Sequence, residues 1–287
     1  MTLYYKIETE NDENNLKNYL KEHSEKTKRN VVVYASNFLT NDEDEVYIDC
    51  FDKIGFVKVI ENLDKSKGLD LILHTPGGSI SDTESIIEYL HSVFKGDIRA
   101  IIPQMAMSGG TLIACSCKEI IMGKQSSLGP VDPQILDVSA KNVIKEYELA
   151  KKEISKQPEV LPFWSILLDK YPANFMFECK NSIEWTNEIL DNALKNSMFN
   201  EKENSKKIDR IKCALITGNT TKDHTQNLSV NKCKEIGLNI KNLEDNRTMQ
   251  NLILSIHYSY LNYFNVKKAS KIFVNQKGMI LSTYTDK

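Results

Sequence analysis

The chain reads as an α/β protein with a mainly parallel sheet, on three observations. From residue 51 to 122, short apolar runs alternate with segments of helical period. A Pro76-Gly77-Gly78 turn separates one such strand from the helix after it. A β-branched run, Val31–Tyr34, stands ahead of them as a further buried strand. Strand and helix in strict alternation require crossover connections, and these build βαβ units with parallel strands.

The elements follow in order. Residues 8–29 are polar and charged, and predict a surface helix or partly ordered arm, so residues 1–30 are set apart from a single domain at 31–287. The loop at 40–46 is acidic but lacks the glycine and ligand spacing of an EF-hand, so no metal is expected there. Phe56, Val57, Val59, Ile60 and Leu63 fit a helix, and Leu69–Leu73 fits a strand. A helix over 82–95 follows, with Ser81 and Glu84 as a capping box and Ile86, Ile87, Leu90 and Phe94 as its apolar stripe. Arg99–Ile102 is a strand, Thr111–Cys117 a helix and Glu119–Met122 a strand. Residues 137–217 lose the strand pattern and read as a lysine-rich helical excursion. A short helix at Lys232–Gly237 ends on a C′ glycine, a longer one covers 243–264, and Lys271–Thr283 reads as a hairpin or edge strand turning at Gly278. The aromatic end of that long helix (Tyr258, Tyr260, Tyr263, Phe264) fits packing or a subunit contact.

Bulk properties narrow the function. In 287 residues, 41% are hydrophobic and 26% charged, as in ordinary globular proteins. A net charge of −2 makes no electrostatic case for nucleic acid or an anionic membrane. The six cysteines include no C-x-x-C pair, which argues against a zinc site and for scattered reduced thiols. No apolar leader or spanning segment is visible, so a cytoplasmic protein is expected, with peripheral membrane attachment through a partner left open.

Two segments carry chemistry. After its strand, Gly77-Gly78 can hold backbone N–H groups at positive φ and aim them into a cleft; the plain alternative is an ordinary strand-to-helix turn. Thirty residues after Gly78, Ser108 lies between Ala106-Met107 and Gly109-Gly110. Small neighbours permit a sharp elbow that exposes the hydroxyl, whereas the plain alternative is a helix cap. Paired amides and an exposed hydroxyl are the parts of an acyl-transfer site.

Three motifs in sequence, His74-Thr75-Pro76-Gly77-Gly78-Ser79, Ala106-Met107-Ser108-Gly109-Gly110-Thr111 and Leu128-Gly129-Pro130-Val131-Asp132-Pro133, resemble those of the Clp-fold serine peptidases. The resemblance is above all to the serine dehydrogenase proteinase group, related to signal peptide peptidase A. It is good over about 69–152, weaker at 220–240 and slight elsewhere. It implies a Clp/crotonase-like spiral of β-β-α units, with the helical excursion and the C-terminal helix and strand added. It also implies an ATP-independent serine peptidase without cofactor, acting on peptide or unfolded protein as a homo-oligomeric trimer or ring.

Carried over, Ser108 is the nucleophile and the Gly78 and Gly109 amides form the oxyanion hole, with Gly77 and Ser79 shaping the strand that bears them. Signal peptide peptidase relatives use a downstream lysine as base, and Lys145 is the best match, although Lys141, Lys151 and Lys152 lie in the same stretch. His224 is the alternative base; His74 fits a packing or rim role and His91 a structural one. Two other readings stand beside the peptidase: a crotonase-like acyl-CoA enzyme, and a non-catalytic scaffold or regulatory subunit on the same fold.

Overall fold

The first strand, β1 (Asn30–Ser36), is buried along its whole length, as its β-branched composition requires of a strand covered on both faces. In the computed structural model, which describes residues 12–40, 44–136, 138–199, 201–217 and 227–284, it lies near the centre of a seven-stranded sheet. Ahead of it runs helix α1 (Asp12–Thr27), and after it α2 (Cys50–Ile60). The alternation then proceeds through β2 (Leu69–His74), α3 (Ile80–Phe94), β3 (Ile98–Ile102), β4 (Met105–Ala106), α4 (Gly109–Cys115), β5 (Glu119–Met122) and β6 (Ser127–Leu128). A small hairpin, β7 (Gln134–Ile135) and β8 (Val138–Ser139), leads into α5 (Ala140–Lys156), α6 (Leu161–Leu168), α7 (Phe175–Ala193) and α8 (Glu201–Lys212). The chain ends with β9 (Leu228–Ser229), α9 (Val230–Ile236), β10 (Ile240–Asn242), α10 (Arg247–Lys267), β11 (Lys271–Asn275) and β12 (Ile280–Thr283). The fold is thus mixed α/β, with ten α-helices among the described residues.

Strand order is β10-β5-β3-β2-β1-β11-β12, parallel from β10 to β1, with the β11–β12 hairpin antiparallel at the far edge. Because successive side chains alternate, the sheet builds two cores. Val32, Tyr34, Leu71 and Leu73 face α2, α3 and α4, while Val31, Val33, Ala35 and Ile72 face α10. Tyr260, Tyr263 and Phe264 of α10 are buried in the second core, whereas Tyr258 is exposed.

Two local features differ from expectation. The polar helix near the N-terminus is firmly docked: Leu16 and Leu20 are wholly buried, and His23 Nε2 meets Asp70 at 2.8 Å. Arg29 and Arg99 also bond Asp70. Burial pushes the Asp70 carboxyl up, but its bonds to His23 and Arg99 hold it well below the usual carboxylate range. The cap of α3 is Ser79, whose hydroxyl accepts from the Asp82 N–H at 3.3 Å, two residues before the expected Ser81. The helical excursion is present as α5 to α8, with Ala140, Val143, Phe175 and Cys179 forming a small core of their own.

Candidate active site

Strand β2 does not stop at His74. Thr75 continues it, donating to the Met105 carbonyl at 3.2 Å and accepting from the Met107 N–H at 2.9 Å. That pairing delivers the diglycine turn directly beside the serine elbow. On its other side the turn pairs with residues 47–49: Ile48 N–H donates to the Gly77 carbonyl at 2.7 Å, and Ser79 N–H to the Ile48 carbonyl at 2.9 Å. Residues 77 and 79 thus spend their groups on Ile48. Strand geometry therefore turns the N–H of Gly78 to the opposite side.

Both glycines are sterically required. Gly77 has φ 95° and Gly78 φ 155°. A Cβ on Gly77 would lie 2.7 Å from both the Met107 carbonyl oxygen and Ser108 Cβ, and 2.8 Å from the Gly109 nitrogen. On Gly78 it would lie 2.3 Å from the Ile48 nitrogen. A Cβ on Gly109 would sit 3.5 Å from the Gly78 nitrogen, so the two amides are neighbours. Among the described residues neither the Gly78 nor the Gly109 N–H has a protein acceptor, and a helix's first N–H groups have none within the helix.

Ser108 resolves its own ambiguity. It precedes α4, but its side chain makes no capping bond. Its φ of 47° and ψ of −114° are unusual for a residue with a Cβ, a strain of about 1–3 kcal/mol of the kind that functional elbows retain. The elbow is held by the Gly110 N–H on the Met107 carbonyl at 2.7 Å, and by Thr111, whose hydroxyl meets the Ala106 and Gly129 carbonyls at 2.9 Å each. Gly129 packs so closely on Met107 that a Cβ there would be 2.7 Å from its Cε. The Leu128-Gly129-Pro130 motif is therefore the support behind the serine elbow.

Ser108 opens into a cleft of about 700 Å³, whose walls include Gly78, Ser79, Ile80, Tyr47, Asp132 and Trp185. Asp132 is nearly buried. Its Oδ2 accepts from the Ser139 hydroxyl at 2.6 Å, while Oδ1 has no partner among the described residues. That bond ties the start of α5 to the cleft wall. Lys141, in the first turn of α5, is half-buried. Burial and the charge of Lys145 push its amine down, and Asp132 partly offsets them. Lys145, one turn further along, is exposed, and neither lysine lines the cleft. His224 lies outside the described residues, as do 41–43 of the acidic loop. His91 bonds the Ser116 carbonyl at 2.7 Å, a structural contact. His74 is wholly buried on the opposite face of the sheet, against Phe38, His257 and Tyr260.

Sequence reasoning passed over two parts of the site. Residues 47–49 back the diglycine strand, but a single bridge at Ile48 is too short to leave a periodic signal. Trp185, on α7, brings the helical excursion to the cleft, with its indole N–H on Glu84 at 2.8 Å. No helix among the described residues is long and apolar enough to cross a membrane.

The uncharacterized proteins MJ0137 and MJ1495 of Methanocaldococcus jannaschii are 31% and 30% identical to the chain over 194 residues. The aligned region is 68% of this chain, and the chain spans about three-fifths of the relatives' length, 60% and 59% respectively. A family described as ClpP-like SDH-type serine proteinase matches residues 45–254, a span that holds the Ile48 bridge, the diglycine turn, the serine elbow and Trp185. With the strained serine, the paired amides and the parallel strands β2, β3, β5 and β10 inside that match, the chain belongs to the ClpP-like SDH-type serine proteinases.

Proposed function

We propose that the chain is an ATP-independent serine peptidase whose nucleophile is Ser108. The observation that carries this reading is the convergence of a strained, uncapped serine with two unpartnered amides, Gly78 and Gly109. Ser108 Oγ attacks the scissile carbonyl and passes its proton to a lysine amine. The carbonyl oxygen becomes an oxyanion and accepts from the two N–H groups, which are already aimed before the charge develops. The lysine then protonates the leaving amine, and water, deprotonated by the same lysine, hydrolyses the acyl-enzyme.

The base belongs to the Lys141–Lys145 pair of α5. Resemblance selects Lys145; Lys141 lies one turn nearer the Asp132 wall, about 6 Å along the helix axis. Burial and the neighbouring Lys145 charge lower the Lys141 amine, the direction a base requires. Peptide or unfolded protein is the substrate, since the cleft is open enough for an extended chain. A cytoplasmic location and a homo-oligomer are part of the same reading, the oligomer supported by apolar side chains exposed on the helical excursion (Leu161, Phe163, Ile166, Phe177).

Hydrolysis of an unstructured protein by wild type and Ser108→Ala tests the assignment; equal turnover by the two overturns it. Lys141→Ala and Lys145→Ala, assayed separately, identify the base by which one lowers kcat about 100-fold or more. If neither does, His224→Ala is expected to.

A further inference from the structure

Lys271 is the first residue of β11, beyond the span matched by the family, and its side chain is 1% exposed. Its ammonium reaches three oxygens, each at 2.8 Å: the Tyr47 carbonyl, Asp49 Oδ2 and Asp52 Oδ1. Asp49 and Asp52 form the reciprocal cap of α2, with the Phe51 N–H on Asp49 Oδ1 at 2.8 Å and the Asp49 N–H on Asp52 Oδ2 at 3.1 Å. The Tyr34 hydroxyl donates to Asp52 Oδ2 at 2.7 Å from the middle of the sheet. One buried cation thus fixes the residues on both sides of Ile48.

Ile48 is the residue whose amide and carbonyl hold Gly77 and Ser79. An ammonium offers three donors and no acceptor; two go to the Tyr47 carbonyl and Asp49 Oδ2, and the close ion pair with Asp52 Oδ1 completes its setting. Breaking a buried ion pair leaves the other charge uncompensated, so the arrangement resists displacement. Gly78 lies at the end of this chain of contacts, with its N–H on the cleft side.

We propose that Lys271 is a positioning residue for the oxyanion hole: by clamping Tyr47 and Asp49 it fixes Ile48, and through Ile48 the direction of the Gly78 N–H. The inference rests on the peptidase reading above. It predicts a defect confined to the transition state, because the hole binds the oxyanion and not the ground-state carbonyl.

The test compares wild type with Lys271→Met in kcat, KM and the Ki of a peptide aldehyde. Ser108 Oγ adds to the aldehyde carbon, its proton passes to the base, and the carbonyl oxygen becomes a hemiacetal oxyanion in the hole. The expected result is kcat lower by about tenfold or more, aldehyde Ki raised by a like factor, and KM within about twofold. A merely structural lysine lowers the folded fraction and leaves the ratio of Ki to KM unchanged, which overturns the clamp. Should Lys271→Met fail to fold, Tyr34→Phe keeps the ion pairs and removes the phenol's bond to Asp52, together with its contacts to Ser36 and Thr75. It is expected to shift Ki over KM in the same direction by about threefold, and an unchanged ratio overturns the proposal. A wild type that hydrolyses no peptide overturns the peptidase reading itself, whereas an active wild type with an unaltered ratio in the variants overturns the clamp alone.

Discussion

At the scale of single residues, the φ of 47° at Ser108 and the missing Cβ at Gly78 are two halves of one device. In the proposed peptidase the serine is bent out of helix geometry to present its hydroxyl, and the glycine lets a backbone amide approach it. Gly78→Ala would push a methyl to within 2.3 Å of the Ile48 backbone, so the strand must move and the amide turn away. Steady-state assays should show kcat lowered by about 100-fold, comparable to losing an oxyanion donor, with a smaller change in KM. Behind the site, burial pushes His257 down to about 4, and burial with the nearby His257 pushes His74 well down, so both are neutral in the folded protein. The unfolded chain protonates them near pH 6.5. Their stabilising effect is therefore complete above about pH 6.5 and is lost as pH falls toward 4, by about 3 kcal/mol for His257. Urea unfolding at pH 7 and pH 4.5 should show His257→Asn losing less stability than wild type over that interval; an identical loss contradicts the assignment.

At the scale of elements, the cleft has a wall from α3, a floor from the diglycine strand and a flank from α7. Trp185 joins α7 to α3 through Glu84, and its indole lies half open to the cleft. Trp185→Ala should raise KM about tenfold and leave kcat within about threefold, as expected for contact with a substrate's remote parts. Kinetics on an unfolded protein substrate decide it, and an unchanged KM removes Trp185 from the binding surface. The alternation of strands and helices, the serine elbow and the hairpin at Gly278 were legible in the sequence, because each is set by local pattern and turn chemistry. The flank was not. Trp185 belongs to a helix whose position depends on packing of Phe175 and Cys179 against Ala140 and Val143, and no local pattern encodes that. Ser79 rather than Ser81 caps α3 for a similar reason: pairing with Ile48 places Ser79 at the strand's end in extended geometry.

At the scale of the whole molecule, the sheet separates two jobs. One face, with α2, α3 and α4, carries the site; the other, with α1 and α10, is closed by the second apolar core and the Asp70 network. The far edge also matters, since β11 supplies Lys271 to residues 47–49 some 220 positions earlier. Such long-range pairing leaves no trace in the sequence, where a lysine at a strand's start looks like an edge charge. Outside the sheet, Leu161, Phe163, Ile166 and Phe177 leave apolar surface exposed on the helical excursion. Self-association through it predicts that Phe163→Glu with Ile166→Glu lowers the mass seen in sedimentation analysis, with folding preserved; an unchanged mass places the contact elsewhere.

The proposed peptidase stands or falls with Ser108 as its nucleophile, which covalent capture probes without a substrate. An alkyl fluorophosphonate phosphonylates an activated serine, forming an O–P bond as fluoride leaves and the base takes the hydroxyl proton. Intact-mass and peptide mass spectrometry should find one phosphonyl group per chain on Ser108 and none in Ser108→Ala. An unlabelled wild type, or a label on another serine that survives in Ser108→Ala, contradicts the account.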